Sequence, residues 1–388
     1  MTVTITVELP GEGRYPLGEA PSWPDSSPPP RQRRVYAAAH VVARPAGDGT
    51  NAVDWDETMA FRHHLWRLGF GVADAMDTAQ RGMGIDWPTT TELIRRSAAE
   101  AKSAGGALAC GVNTDQLDLD SKPGLAEVLE AYRQQLELVE GAGATVVLMA
   151  SRALAAAANG PEDYLSLYDT LLTEVRQPVI LHWLGAAFDP ALTGYWGDTD
   201  LDSAADTVIE LITAHAAKVD GIKVSLLDKD REIDLRRRLP AGVRLYTGDD
   251  FNYPELILGD GTRHSDALLG IFDGIARPAA AALARLDDGD TDGYLAAIEP
   301  TVPLARHIFQ APTFHYKTGL AFLAWLNGQQ SHFRLIGGYE TARDADHLAK
   351  LFVLADRAGV LADPELAARR MAEYLASPDA VRSIGVQS

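Results

Sequence analysis

The sequence predicts an α/β protein built as a (β/α)8 TIM barrel with a C-terminal helical extension. Three observations carry this reading. Eight short apolar runs recur between residues 35 and 272. Helical, amphipathic stretches separate them, at roughly the 30 or more residues that a βαβ unit requires. Beyond residue 275 the runs cease and helical segments follow one another. Strands alternating with helices indicate a parallel sheet, and runs that are apolar throughout indicate strands buried on both faces.

Taken in order, residues 1–34 form a lead-in whose TVTITVEL alternates like a strand, able to pair with the barrel or with a neighbouring subunit, before the Pro-rich PSWPDSSPPPRQRR. The barrel is expected over residues 35–285. Its strands are VYAAAHVVA (35–43), GVADAM (71–76), GALACGV (106–112), TVVLMAS (145–151), PVILHWL (178–184), VDGIKVSL (219–226), VRLYTGD (243–249) and DALLGIF (266–272). Between them, DETMAFRHHLWRLG sets Met59, Leu65 and Leu68 at helical spacing, and PTTTELIRRSAAEAKSAGG starts with proline, carries a glutamate early and stops at glycines. LAEVLEAYRQQLELVEGAG and PEDYLSLYDTLLTEV behave alike. Residues 286–388 then read as a helical region, with YLAAIEPTVPLARHIFQ, KTGLAFLAWLNGQ, ARDADHLAKLFVLADRAG and PELAARRMAEYLA within it.

Composition narrows the function. Of 388 residues, 46% are hydrophobic and 23% charged, and no apolar run reaches the length that spans a bilayer. The single cysteine, Cys110, excludes an intrachain disulfide framework and a cysteine-only zinc site. The N-terminus lacks a basic region followed by an apolar core, so a cytoplasmic address is expected. A formal charge of −19 repels nucleic acid and anionic membranes. The expected partners are a small molecule and further copies of the chain, as a dimer or tetramer. No Walker or dinucleotide glycine pattern stands at a strand-to-helix junction, so no cofactor is expected.

In such a barrel, chemistry lies at the C-terminal strand ends. Lys223 stands in the apolar run of GIKVS, and strand alternation puts Val219, Gly221, Lys223 and Ser225 on one face, with Ile222 and Val224 toward the helices. A lysine there either snorkels to the barrel mouth or pairs with Asp249 or Asp250, or else it is a desolvated, neutral amine able to form a Schiff base with a carbonyl. The segment after the fifth run carries His182, Trp183, Phe188, Asp189, Tyr195 and Trp196, a mixture typical of small-molecule pockets.

GIK at 221–223, GDD at 248–250, a proline-initiated fifth strand and the late helices together resemble the dihydrodipicolinate synthase and N-acetylneuraminate lyase superfamily of class I aldolases. The resemblance runs from about residue 35 to about residue 327. It implies a barrel with C-terminal helices, usually tetrameric, in which Lys223 is the Schiff-base lysine. Two positions depart from the family pattern. DTAQRGMGIDW stands where a Gly-Thr-Thr-Gly-Glu-like loop would bind the substrate carboxylate, and PVILHWLG puts His182 where a proton-relaying tyrosine would be.

The expected function is therefore a lyase acting on a hydroxylated keto acid or keto sugar, by C–C cleavage or formation or by dehydration. Lys223 is the expected nucleophile, and His182 the general acid/base, with a core histidine as the plainer alternative. Asp74, Asp77 and Asp86 with Trp87 are expected near substrate hydroxyls. Arg81 is expected either to receive an anion or to pair with a loop aspartate. Asn113 and Trp183, then Asp249, Asp250, Asn252 and Ser265, complete the predicted substrate contacts, although such residues also cap turns and helices. A divalent-metal sugar isomerase using His40, Asp74, Asp77, His182, Asp249 and His264 is a second reading, without any tight ligand spacing to support it, and a non-catalytic binding barrel is a third.

Overall fold

The structure is a computed structural model that describes residues 5–20, 22–378 and 380. Among these residues the strands are β1 (Thr6–Leu9), β2 (Gly13–Pro16), β3 (Val35–Ala38), β4 (Ala43–Pro45), β5 (Asn51–Val53), β6 (Gly71–Asp74), β7 (Leu108–Val112), β8 (Thr145–Leu148), β9 (Val179–Leu184), β10 (Val219–Ser225), β11 (Arg244–Thr247) and β12 (Asp266–Leu269). The helices begin with α1 (Trp55–Arg67), α2 (Trp87–Ala104), α3 (Leu125–Ala142), α4 (Arg152–Ala157), α5 (Pro161–Glu174), α6 (Leu201–Ala214), α7 (Lys229–Arg238) and α8 (Tyr253–Leu258). They continue as α9 (Ala276–Asp287), α10 (Thr291–Ile298), α11 (Val302–Ile308), α12 (Tyr316–Leu326), α13 (Ala345–Arg357) and α14 (Pro364–Leu375). The chain forms two compact units, one of residues 31–38 and 70–270 and the other of the remaining segments.

The first unit holds the barrel. Strands β3 and β6 to β12 close in the order β10, β11, β12, β3, β6, β7, β8, β9, every neighbouring pair parallel. Each of the eight predicted runs contains one of these strands, and the fold is a (β/α)8 TIM barrel with C-terminal helices. The first run is shorter than expected. Its strand ends at Ala38, and Ala43 instead opens β4, which pairs antiparallel with β5 across a turn with Gly47 and Gly49 at φ 84° and 88°.

Alternation fills the lumen. Tyr36, Ala38, Ala73, Ala109, Val147, Ile180, Tyr246 and Leu268, one or two from each of seven strands, pack with Met76 and Met149 in one buried cluster. Large and small residues are complementary. A Cβ on Gly111 would lie 2.4 Å from Met149 Sδ and 2.5 Å from the Ala75 carbonyl oxygen, so only glycine admits both neighbours. Where the strands begin, Tyr246 donates to Asp220 at 2.5 Å, and Arg244 and Arg34 hold the same carboxylate at 2.6 and 3.2 Å. A register shift between Val219 and Gly221 frees Asp220 for this role and sets Val219 out of phase with Gly221, which corrects the expected alternation.

Local chemistry starts and stops the helices. Asp86 caps α2 by accepting from the Thr89 amide at 2.9 Å, and Gly105 closes it at φ 65°. In the second unit, the described part of the N-terminal alternating segment forms β1 and pairs with β2, while Thr2 to Thr4 lie outside the described residues. Tyr15 donates to Asp356 on α13 at 2.8 Å, and Trp23 donates to the Gly359 carbonyl at 2.6 Å. All of α12 is buried. Among the described residues no helix is long and apolar enough to cross a membrane.

Two glycines report the packing. Gly111→Ala should destabilise the protein by about 1–3 kcal/mol in urea unfolding, because its new methyl meets backbone on one side. Gly141→Ala, in α3 with nothing within 4 Å of its Cβ, should be neutral or stabilise by up to about 1 kcal/mol.

Candidate functional site

Strands β9, β10 and β11 build the centre. In register, Lys223 lies beside His182 on one side and Tyr246 on the other. Tyr246 belongs to the lumen cluster, as does Ile180, two residues before His182. The period of a strand therefore turns both Lys223 and His182 inward. Small residues make the space: a Cβ on Gly248 would stand 2.8 Å from Lys223 Cε and 2.2 Å from Ser225 Oγ.

Lys223 is 8% exposed, and among the described residues it makes no hydrogen bond or ion pair. Burial lowers the pKa of its amine from 10.5, and the charges of Asp77 and Asp250 only partly oppose this. Neither a surface lysine nor one clamped by a carboxylate is present. His182 is fully buried. Burial, reinforced by Lys223, pushes its imidazole well below 6.5 and so keeps it neutral. Its Nε2 lies 3.5 Å from Ser225 Oγ, and its Nδ1 has no partner among the described residues.

Asp77 follows β6 and lines a cavity of about 160 Å³ together with Asn113, Thr114, Arg152, Leu184 and Asp189. Its carboxylate accepts no hydrogen bond among the described residues. Asn113 accepts from the Thr114 amide at 2.8 Å, which aims the loop after β7.

Several predicted contacts have other employment. Arg81 is the clearest correction, because all five of its N–H donors are taken. Nε and one Nη2 proton reach the two oxygens of Asp115 at 3.0 and 2.5 Å, Nη1 donates to the Ala75 and Gly111 carbonyls at 3.0 and 2.7 Å, and Nη2 also donates to Gln135. Although burial would raise the Asp115 carboxyl, Arg81 and Gln135 hold it below its ordinary value. No donor of Arg81 remains for a substrate anion. Asp74 faces outward, accepting from Ser97 on α2 at 2.6 Å and from the Ala75 amide at 2.8 Å. Asp86 is the helix cap described above, and Trp87 packs over the Arg81 guanidinium at 5.6 Å.

Beyond β11, Asp249 accepts from the Phe251 and Asn252 amides at 2.8 and 3.0 Å and from the Asn252 side chain at 2.8 Å, so this pair shapes the turn into α8. Asp250 is buried and acts electrostatically on Lys223. Ser265 precedes β12, at the end of the barrel opposite the strand C-termini. It donates to the buried Glu232 at 2.8 Å, which also accepts from Thr247 at 3.0 Å. Trp183 pairs in register with Val224, and with it lines a groove bordered by α6 and α7 rather than the lumen. Tyr195 and Trp196 are likewise packed away, against Tyr164 and Tyr168 of α5. Among the described residues no three His, Cys, Asp or Glu side chains gather into a metal-holding group, and in the second unit His40 is held by Asp273 and Gln330, each at 2.8 Å. Sequence reasoning missed Arg152 and Asp115; an arginine just past a strand C-terminus was the available signal for the former.

A family model described as "Protein of unknown function (DUF993)" matches residues 9–379. Among curated proteins no sequence match is found. Solved structures are similar in fold. A putative dihydrodipicolinate synthetase from Pseudomonas aeruginosa superposes with a TM-score of 0.64 at 16% identity, over 84% of this chain and 100% of that one. YagE from E. coli K12, a member of the dihydrodipicolinic acid synthase family in complex with pyruvate, gives 0.66 at 15% identity, over 85% and 99%. The 4-hydroxy-tetrahydrodipicolinate synthase of Methylacidiphilum fumariolicum SolV gives 0.63 at 17%, over 89% and 99%.

Burial, with Asp249 nearby, raises the Glu232 carboxyl to about 8 despite its two hydroxyl donors. The unfolded chain ionises near 4.5 while the folded one keeps its proton, so stability falls as pH rises between these values. Glu232→Gln should therefore match the parent near pH 4 and exceed it in urea midpoint at pH 8.

Proposed function

We propose that this chain, which belongs to the DUF993 family, is a Schiff-base lyase acting on a hydroxylated keto acid or keto sugar. One observation carries the reading: a lysine turned into the lumen of a barrel with the dihydrodipicolinate synthase fold, its amine lowered in basicity by burial and without a hydrogen-bonded counter-ion. Such an amine reaches its neutral, nucleophilic form at lower pH than an exposed one.

In this mechanism the Lys223 amine adds to the ketone, and loss of water gives an iminium ion. The positive nitrogen then accepts the electron pair released when a neighbouring C–C or C–H bond breaks. His182, in register with Lys223, is the proton carrier. A neutral imidazole can take a proton from a hydroxyl as the aldol bond breaks and return it to the enamine carbon. The side chain of Asp77, uncommitted and within electrostatic reach of Lys223, is placed to receive a substrate hydroxyl. Water then hydrolyses the imine and restores the lysine.

Incubation with candidate keto acids and keto sugars plus borohydride should fix one substrate mass on Lys223, read by peptide mass spectrometry, with none on Lys223→Ala. The trapping rate should rise with pH and reach half its maximum below 10.5, since burial lowers the amine. His182→Gln should still be trapped, yet lose about 10²–10⁴-fold in turnover. Absence of any adduct, or an adduct elsewhere, overturns the proposal.

A further inference from the structure

The cavity beside Asp77 contains a second cation whose role differs from that of Arg81. Arg152 opens α4 and lines the cavity wall. Its Nε donates to Asp189 at 2.5 Å, and among the described residues this is the only hydrogen bond its side chain makes. Both terminal nitrogens, with four N–H donors, are therefore uncommitted. One of them, Nη1, lies 3.8 Å from where a Cβ on Gly82 would stand. That places one terminal nitrogen beside the glycine in the loop after β6, a position that carries no side chain of its own. Asp189 fixes the near edge. The Arg152 side chain keeps 45% of its surface accessible, unlike that of Arg81 at 1%.

Two arginines at one cavity are thus divided in function. Arg81 spends every donor on the protein, whereas Arg152 holds a fork ready in the geometry that takes two oxygens of a carboxylate or phosphate. We infer that Arg152 is the residue that recognises the anionic group of the substrate, and that the ligand of this cavity is a hydroxylated ketone carrying a carboxylate or a phosphate. This rests on the lyase reading for the identity of the reacting carbon, but not for the binding itself. The other polar groups of the cavity, Asp77, Asn113 and Thr114, suit the hydroxyls between the two ends.

Three probes separate the possibilities: D-fructose, 2-keto-D-gluconate, which replaces the C1 alcohol of the same chain with a carboxylate, and D-fructose 6-phosphate, with its anion at the far end. Calorimetric binding to the intact protein should favour one of the anions over fructose by at least about tenfold, as a charge-assisted pair implies. Which anion wins tells whether the group lies next to the carbonyl or distal to it. Arg152→Gln should abolish that preference by weakening the favoured anion far more than fructose, and Arg152→Lys should recover it in part. Equal loss for charged and neutral probes, an unchanged preference in Arg152→Gln, or no binding of any probe to the parent protein at millimolar concentration overturns the inference. The same titrations on Lys223→Ala keep the two readings apart. Preference retained there without any borohydride adduct on the parent protein sinks the imine and leaves Arg152 standing.

Discussion

Burying the Lys223 amine in a parallel barrel removes it from water, and no carboxylate among the described residues comes within hydrogen-bonding distance to offset the loss. Much of the local arrangement answers to that constraint. Gly248 clears the space around the lysine stem, and Gly221 admits the Tyr246 ring and the Arg244 backbone on the neighbouring strand. Asp77 and Asp250 act on the amine through space. His182 is held neutral by the same desolvation, so two basic groups can stand side by side without both carrying charge. This buried amine, beside a neutral imidazole in a barrel otherwise lined largely by apolar and aromatic side chains, is the feature on which the proposed imine chemistry rests.

Around this centre, committed charges are separated from available ones. Arg81 ties together the loops after β6 and β7 and the helix that carries Gln135. Its bond to the Ala75 carbonyl holds a residue whose φ of 51° is unfavourable for a side chain with a Cβ, and Asp74 secures the amide of the same residue. These two residues thereby fix the turn that presents Asp77. What the one-dimensional pattern offered as substrate contacts are bonds within the protein that shape the loops around the cavity.

The barrel was legible because each strand is mostly apolar and buried on both faces, and the helices between them carry their own start and stop residues. The inward direction of Lys223 was legible for a simpler reason, since alternation in a strand is a property of the backbone. Side-chain tips are another matter. Arg81, Asp249 and Ser265 lie close in sequence to the strand ends, but whether an arginine or an aspartate turns to a ligand or to a carbonyl depends on partners such as Asp115, Gln135 and Glu232, which come from distant helices and loops. The aromatic residues after β9 misled because Trp183 and Tyr195 fill gaps between helices as readily as they would line a pocket. Val219 fell out of phase through a one-residue bulge, which leaves no mark on composition.

The aromatic and apolar packing below Lys223, ending in the knot of Tyr246, Arg244, Arg34 and Asp220, has a consequence for molecular traffic. Since the lumen is stoppered where the strands begin, anything reaching the lysine has to depart along its own arrival path. On the proposed imine route, fragments of a divided molecule would queue, the piece nearer the outside leaving ahead of the piece still attached, and each would obstruct the next arrival.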